Sequence, residues 1–355
     1  MSELHVVVPD GVDDPARPSG GNTYDRHVCR GLSALGWSVH EHAVAGCWPR
    51  RDKASLGSLA DAVRRVPDGA VVLLDGLVAS TAPEVLVPEA RRVRLVTLVH
   101  MPLGHRPADD GAGDIRMRER AVLSAVAAVV TTSVWTRRRL LELYALPAER
   151  VHVAEPGVDS AELAAGTAGG GSLLCVAAVT PAKGHDVLVD ALSRMRRLPW
   201  RCACVGSLDR DPVFVASLGR RVLDVGLQDR VSFTGPLTGA DLDRRYAAAD
   251  LVVLASRAET YGMVVSEALA HGLPVVAAEV GGVTEAVGHS AGGIRPGLLV
   301  PPDDPAALGA ALRAWLGDAE LRARLRRAAC ERLKSLPRWA STTSVIAGVL
   351  AEVSR

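Results

Sequence analysis

The run Glu259-Thr-Tyr-Gly-Met-Val-Val-Ser-Glu267 follows the apolar stretch Leu251 to Ala255 and precedes Ala268-Leu-Ala-His-Gly-Leu-Pro-Val-Val-Ala-Ala278. The first stretch reads as a buried strand, and the run opens a helix expected from about Gly262 to His271. Gly272 stops that helix, and Val275 opens the next strand. This strand, turn, helix, strand order decides the fold class, because it is the repeating unit of a parallel α/β sheet.

The same stretch carries chemistry. A helix starting near Gly262 would point its free N–H groups toward Glu259, and such a start favours a diphosphate. Glu259 would then stand beside the phosphates at the height of a sugar. Glu267, more than a turn into the helix, can accept hydrogen bonds from two neighbouring hydroxyls such as those of a ribose. Two glutamates eight positions apart arise often by chance in a chain with 40 acidic residues. The strand and turn around them set this pair apart.

Outward from this segment the pattern repeats. Leu4 to Val8, Val71 to Leu74, Arg94 to Val99, Ala127 to Thr131 and Val151 to Ala154 read as strands, with Tyr24, Val28, Leu32 and Leu35 at helical spacing between the first two. A second series restarts at Leu173 to Val179 and continues through Arg201 to Val205, Val231 to Phe233, Leu251 to Leu254 and Val275 to Ala278. Two Rossmann-like α/β domains with parallel sheets are expected, one over 1–163 and the other over 172–336. The small-residue stretch Ala164 to Gly171 reads as a hinge between them. Helical patterns occupy about Pro305 to Leu316 and Asp318 to Leu333, and after Pro337 a last helix runs from about Trp339 to Val353.

Composition excludes several classes. With 355 residues and 48% hydrophobic content the chain can bury two cores, and a net charge of +1 argues against a general nucleic-acid binder. No apolar run of about eighteen residues and no basic, apolar leader appear, so a cytoplasmic protein is expected. The six cysteines form no C-x-x-C pair. Cys202-Ala-Cys204 reads as core thiols on one strand face, since no histidine cluster adjoins it. Asp209-Arg-Asp211 and Asp241-Leu-Asp243 spell D-x-D, yet one lies in a polar loop and the other opens an amphipathic helix, so both read as solvated carboxylates and no metal site is expected. The arginine runs 116–120 and 137–139 support at most peripheral contact with anionic lipid.

Three further positions stand where open sheets place ligands. Lys183 is one of only three lysines among 41 basic residues and lies where a strand meets a helix start, in Pro181-Ala-Lys-Gly-His185. An ammonium there can bind phosphate as a point charge. His100 ends the strand Arg94 to Val99, at a carboxyl edge. Gly20 and Gly21 lie between the first strand and a helix expected near Thr23. They let backbone approach a ligand, or else form an ordinary loop with Asn22 as helix cap. Thr234-Gly235-Pro236 ends another strand and would border a nucleobase through its backbone.

Ser256 to Val287 resembles the donor-site segment of the retaining GT-B glycosyltransferases of family 4, in Glu259, Glu267, Gly262, Gly272-Leu-Pro-Val-Val276 and Gly281-Gly282 followed by Glu285. The resemblance covers nearly the whole chain in layout. It implies a GT-B fold, with two sheets facing a central cleft and the final helix, 338–355, returning to the first domain. It also implies donor contacts at Tyr261, Gly262, Met263, Val264 and Glu267. By the same likeness Lys183 would stabilise the departing diphosphate, Gly20 and Gly21 would close over the donor phosphates, and His100 would orient the donor sugar. One feature departs from the family: Ala178 stands five residues before Lys183, where an arginine is usual, and Ala177 replaces the usual glycine.

The function these readings imply is metal-independent, retaining transfer of a sugar from a UDP- or GDP-linked donor to an acceptor hydroxyl, with His100, Lys183 and Glu259 as the catalytic set. No cofactor and no nucleic acid are expected. A sugar-nucleotide epimerase or hydrolase of the same fold is the alternative kept open by Ala178, and a non-catalytic sugar-nucleotide-binding protein is a third.

Overall fold

A computed structural model of the protein describes residues 2–105 and 112–355. The chain divides into two compact units. One holds the chain up to Asp13, Gly21–Gly157 and Pro337–Arg355; the other holds Asp14–Gly20 and Val158–Leu336.

The first unit contains β1 (Glu3–Pro9), α1 (Gly20–Ala34), β2 (Ser38–Val44), α2 (Lys53–Arg64), β3 (Val71–Asp75), α3 (Gly76–Ala79) and α4 (Pro83–Glu89). It continues with β4 (Arg94–Val99), α5 (Ala112–Ala125), β5 (Ala128–Thr131), α6 (Val134–Tyr144) and β6 (Val151–Val153). Its sheet is parallel, in the order β2-β1-β3-β4-β5-β6. The central strands β3 and β5 are buried on both faces, which is why they read as unbroken apolar runs.

The second unit contains β7 (Ser172–Val176), α7 (His185–Ser193), β8 (Arg201–Val205), α8 (Pro212–Asp224), β9 (Val231–Gly235), α9 (Gly239–Ala247) and β10 (Leu251–Leu254). Then come α10 (Met263–Ala270), β11 (Val275–Ala278), α11 (Val283–Val287), β12 (Gly297–Val300), α12 (Pro305–Gly317) and α13 (Ala319–Leu333). Its parallel sheet runs β12-β11-β10-β7-β8-β9. Trp315 of α12 is fully buried, and its indole N–H donates to the Gly170 carbonyl at 2.8 Å. The last helix, α14 (Trp339–Val353), belongs to the first unit. There Trp339 stacks flat on His27 at 4.1 Å, and Thr342 donates to the Glu155 carbonyl at 2.6 Å.

Two expectations are corrected, and two strands are added. Ala164 to Gly171 is no hinge: buried Asp250 accepts from Thr167 N, Thr167 Oγ1 and Ser172 N, while Ala164 N donates to the His271 carbonyl. The side chains bury little, but the backbone is tied to the second unit, and the chain changes unit between Gly157 and Val158. Strand β2 escaped the sequence reading because His40, Glu41 and His42 break its apolar pattern, as an edge strand allows. Strand β12 also escaped; it is a four-residue edge strand opened by Gly297. Helix α1 begins at Gly20, so Asn22 lies in its first turn and is not its cap. It ends at Ala34, before Leu35, which is 54% exposed.

Candidate functional site

In the second unit the site grows from the carboxyl end of β10. Ser256 Oγ donates to Glu259 Oε1 at 2.8 Å, and Lys183 Nζ meets the same oxygen at 2.5 Å. Lys183 closes a single 3-10 turn, Pro181–Lys183, followed by Gly184 with φ +65°. A side chain on Gly184 would collide with the Ala255 carbonyl oxygen, so glycine lets the lysine loop lie against the end of β10. Arg257 N donates to the Ala182 carbonyl, which locks the two loops together.

Gly262, with φ +92°, precedes α10, and no side chain caps the helix start. The first-turn N–H groups thus have no side-chain cap, and the helix follows Glu259 by four residues, a setting that favours an anion. The Gly281-Gly282 turn supports this segment from behind: Cβ atoms there would run into the carbonyl oxygens of Glu259 and Thr260. Met263 and Val264 are half-buried at the helix start. Tyr261 is 3% exposed and packs in the core of the second unit.

Glu267 lies one turn further on and accepts from Tyr246 Oη at 2.7 Å. Burial pushes its carboxyl above the ordinary glutamate value, and the tyrosine bond partly opposes that shift. Tyr246 stacks on His271 at 4.8 Å, and His271 Nδ1 donates to the Glu162 carbonyl at 2.9 Å. Neither aromatic residue was legible as part of the site, since α9 and the end of α10 are far apart in sequence. Gly235 ends β9 with φ +77°, and its carbonyl accepts from Gly206 N.

Among the described residues, the arginines nearest the Lys183 loop are engaged elsewhere. Arg257 donates to the Pro181 carbonyl, but its guanidinium is already shared between Asp186 and Asp303. On the neighbouring loop, Arg210 donates to the Arg17 carbonyl at 3.1 Å; burial and the Arg17 charge lower its pKa.

In the first unit, His100 follows β4, and its side chain is 14% exposed. Its Nε2 lies 2.8 Å from Asp25 Oδ1 of α1 and 3.9 Å from Asp75 Oδ2 at the end of β3. Asp25 and Asp75 are 4% and 5% exposed. Sequence reasoning missed both: Asp25 sits on the apolar face of α1, and Asp75 ends an apolar strand, where its Oδ1 caps α3 by accepting from Leu77 N at 2.6 Å. Burial lowers the His100 pKa, but the Asp25 charge and hydrogen bond, aided by Asp75, outweigh it and raise the value overall. Burial and Asp25 push the Asp75 carboxyl up to about 7. Gly21 lies under the ring: a Cβ there would stand 3.3 Å from His100 Cδ2. Gly20 falls in the other unit, where its Cβ would meet Met263 Sδ at 3.1 Å.

Two groups among the described residues have metal-ligand chemistry, with atoms within 4.8 Å of one another: Asp25, Asp75 and His100, and Cys175, His185 and Cys204. In the second, the parallel register places Cys175 beside Cys204, and α7 brings one histidine, His185, to 3.7 Å from Cys175 Sγ through its Nε2, which the sequence spacing did not show. The D-x-D aspartates play other parts: Asp211 caps α8, and Asp241 pairs with Arg244 on the same helix.

Comparison with known proteins matches each unit to a glycosyltransferase profile. The profile described as Glycosyl transferases group 1 matches residues 170–318, and Glycosyltransferase Family 4 matches residues 18–162. A D-inositol 3-phosphate glycosyltransferase of Catenulispora acidiphila is 30% identical over 311 residues, 79% of this chain and 73% of its own length. The chain belongs to glycosyltransferase family 4. Another family member with the same description, from Jonesia denitrificans, is 36% identical over 228 residues, 59% of this chain and 53% of its own length. The chain spans about half to three fifths of the length of the first curated relatives it matches.

Among solved structures, sucrose-phosphate synthase from Thermosynechococcus elongatus aligns with a TM-score of 0.83 at 22% identity over 99% of both chains. Anabaena HepE in complex with UDP-glucose aligns with a TM-score of 0.78 at 19% identity, over 99% of this chain and 100% of its own. These likenesses establish the GT-B fold. Among the described residues no helix is long and apolar enough to cross a membrane.

Proposed function

We propose that the protein transfers a glycosyl unit from a nucleoside diphosphate sugar, UDP- or GDP-linked, to an acceptor hydroxyl with retention at the anomeric carbon. The observation that carries this reading is the convergence of Lys183 Nζ and Ser256 Oγ on Glu259 Oε1 at the start of α10, which no side chain caps. A diphosphate entering there would meet the ammonium and the helix N–H groups, and Glu259 would turn to the sugar hydroxyls. Glu267 would accept from the ribose.

The bond between the anomeric carbon and the phosphate oxygen breaks with its electron pair going to the phosphate, and Lys183 and the helix start stabilise that charge. The acceptor oxygen bonds to the same face of the sugar, and its proton passes to the departing phosphate. His100 orients the sugar. Lys183 and the helix start supply the positive charge that a divalent ion supplies in other transferases, so we propose that no metal is needed.

The test is incubation with UDP- and GDP-sugars in EDTA, with hydroxyl acceptors including D-inositol 3-phosphate, for which the relatives are named. Acceptor-dependent release of the diphosphate, with an anomeric proton coupling like the donor's, is expected. Acceptor-independent release would make the protein a hydrolase, and an inverted product would remove the proposed mechanism.

A further inference from the structure

The pair of buried aspartates behind His100 has no assigned role. We propose that Asp25, backed by Asp75, is a positioning residue that holds the His100 imidazole with Nε2 donating inward, so that Nδ1 is the nitrogen presented to the sugar. This rests on the transferase reading for its consequence, and on the first unit alone for its geometry.

Asp25 Oδ1 is 2.8 Å from Nε2, and a carboxylate oxygen can only accept there, which fixes the proton on Nε2. Nothing among the described residues hydrogen-bonds to Nδ1. The ring plane is held from two sides. Gly21 leaves space for one face, and the Tyr24 ring meets the imidazole edge-on at 5.2 Å. Tyr24 is itself anchored through its hydroxyl to the Ala154 carbonyl at 2.8 Å.

The second carboxylate oxygen, Asp25 Oδ2, is buried without a partner. Asp75 brings a carboxylate oxygen within 4.8 Å of one from Asp25, and a proton on its carboxyl would offer a donor on that side. Among the described residues, the titratable groups facing the ring are Tyr24 and Asp25 from α1 and Asp75 from β3. With Nε2–H held by Asp25, Nδ1 is the ring nitrogen left to meet a sugar hydroxyl.

The experiment is ¹⁵N NMR of histidine-labelled protein without any ligand, with His100 assigned by its loss in His100→Gln. In the wild type, His100 should titrate above the ordinary histidine value of about 6.5 and deprotonate to the Nε2–H tautomer. Asp25→Asn should lower that pKa by about one unit and reduce kcat for transfer at least tenfold while leaving UDP affinity within twofold. Should Asp25→Asn fail to fold, the wild-type tautomer decides by itself. A wild-type Nδ1–H tautomer, or a His100 pKa unmoved in folded Asp25→Asn, would overturn the proposal. These readings need no donor sugar, so they separate its failure from failure of the transferase reading.

Discussion

Gly281→Ala tests how the donor half-site is built. Gly281 has φ +55°, and a Cβ there would lie far inside the 3.0 Å limit of real contacts with the Glu259 carbonyl oxygen. Left-handed backbone costs an alanine about 1–2 kcal/mol. The clash is with backbone, so no rotamer relieves it, and the Glu259 segment must retreat by on the order of 1 Å. Together these should cost roughly 2–4 kcal/mol, lowering Tm by about 5–15 °C for a unit of this size. A displacement of that order should also slow transfer about 100-fold. Gly293→Ala is the control, since Gly293 has φ +75° but open space around its Cβ. It should show the conformational cost alone, about 1 kcal/mol, with unchanged transfer. Thermal melts and initial rates on the three proteins decide the matter. If Gly281→Ala melts with Gly293→Ala and keeps wild-type turnover, Gly281-Gly282 does not position Glu259.

Three further outcomes are expected. Lys183→Ala should lower kcat by at least 100-fold, the scale of losing one charge-stabilising donor, yet shift stability by less than about 1 kcal/mol because the pair is partly exposed; initial rates and urea melts check this. Tyr246→Phe should cost about 1–2 kcal/mol and raise the Glu267 pKa further, so UDP affinity should fall more steeply below pH 7 than in the wild type, measured by calorimetry at pH 6 and 8. Asp75 binds its proton more tightly in the folded than the unfolded chain, so its contribution to stability declines as pH rises from about 4 to its folded value of about 7. Asp75→Asn lacks that decline and should gain on the wild type by roughly 2–3 kcal/mol between pH 5 and 8 in urea melts.

The parts legible in sequence were those whose signal is local. Leu251 to Leu254 and Val275 to Ala278 are buried on both faces and read directly as central parallel strands. Gly262 and Gly184 stand at positive φ next to Glu259 and Lys183, so the loops that bring those two side chains together carried their own punctuation. The parts that were not legible depend on contacts distant in sequence. Asp25 and Asp75 meet His100 only because β1, β3 and β4 lie side by side with α1 against them, and Tyr246 reaches Glu267 from another helix. The segment 164–171 looked like a linker because its side chains are small. Asp250, 83 residues on from Thr167, binds its backbone instead, and small side chains leave that backbone accessible.

The most direct measurement is calorimetric titration of UDP and GDP into wild type and Glu267→Ala in the presence of EDTA. Binding of one diphosphate that survives the chelator and weakens at least tenfold in Glu267→Ala is the expected result. Equal affinity in the two proteins, or no binding of either nucleotide to folded wild type, would contradict a sugar-nucleotide site at the start of α10.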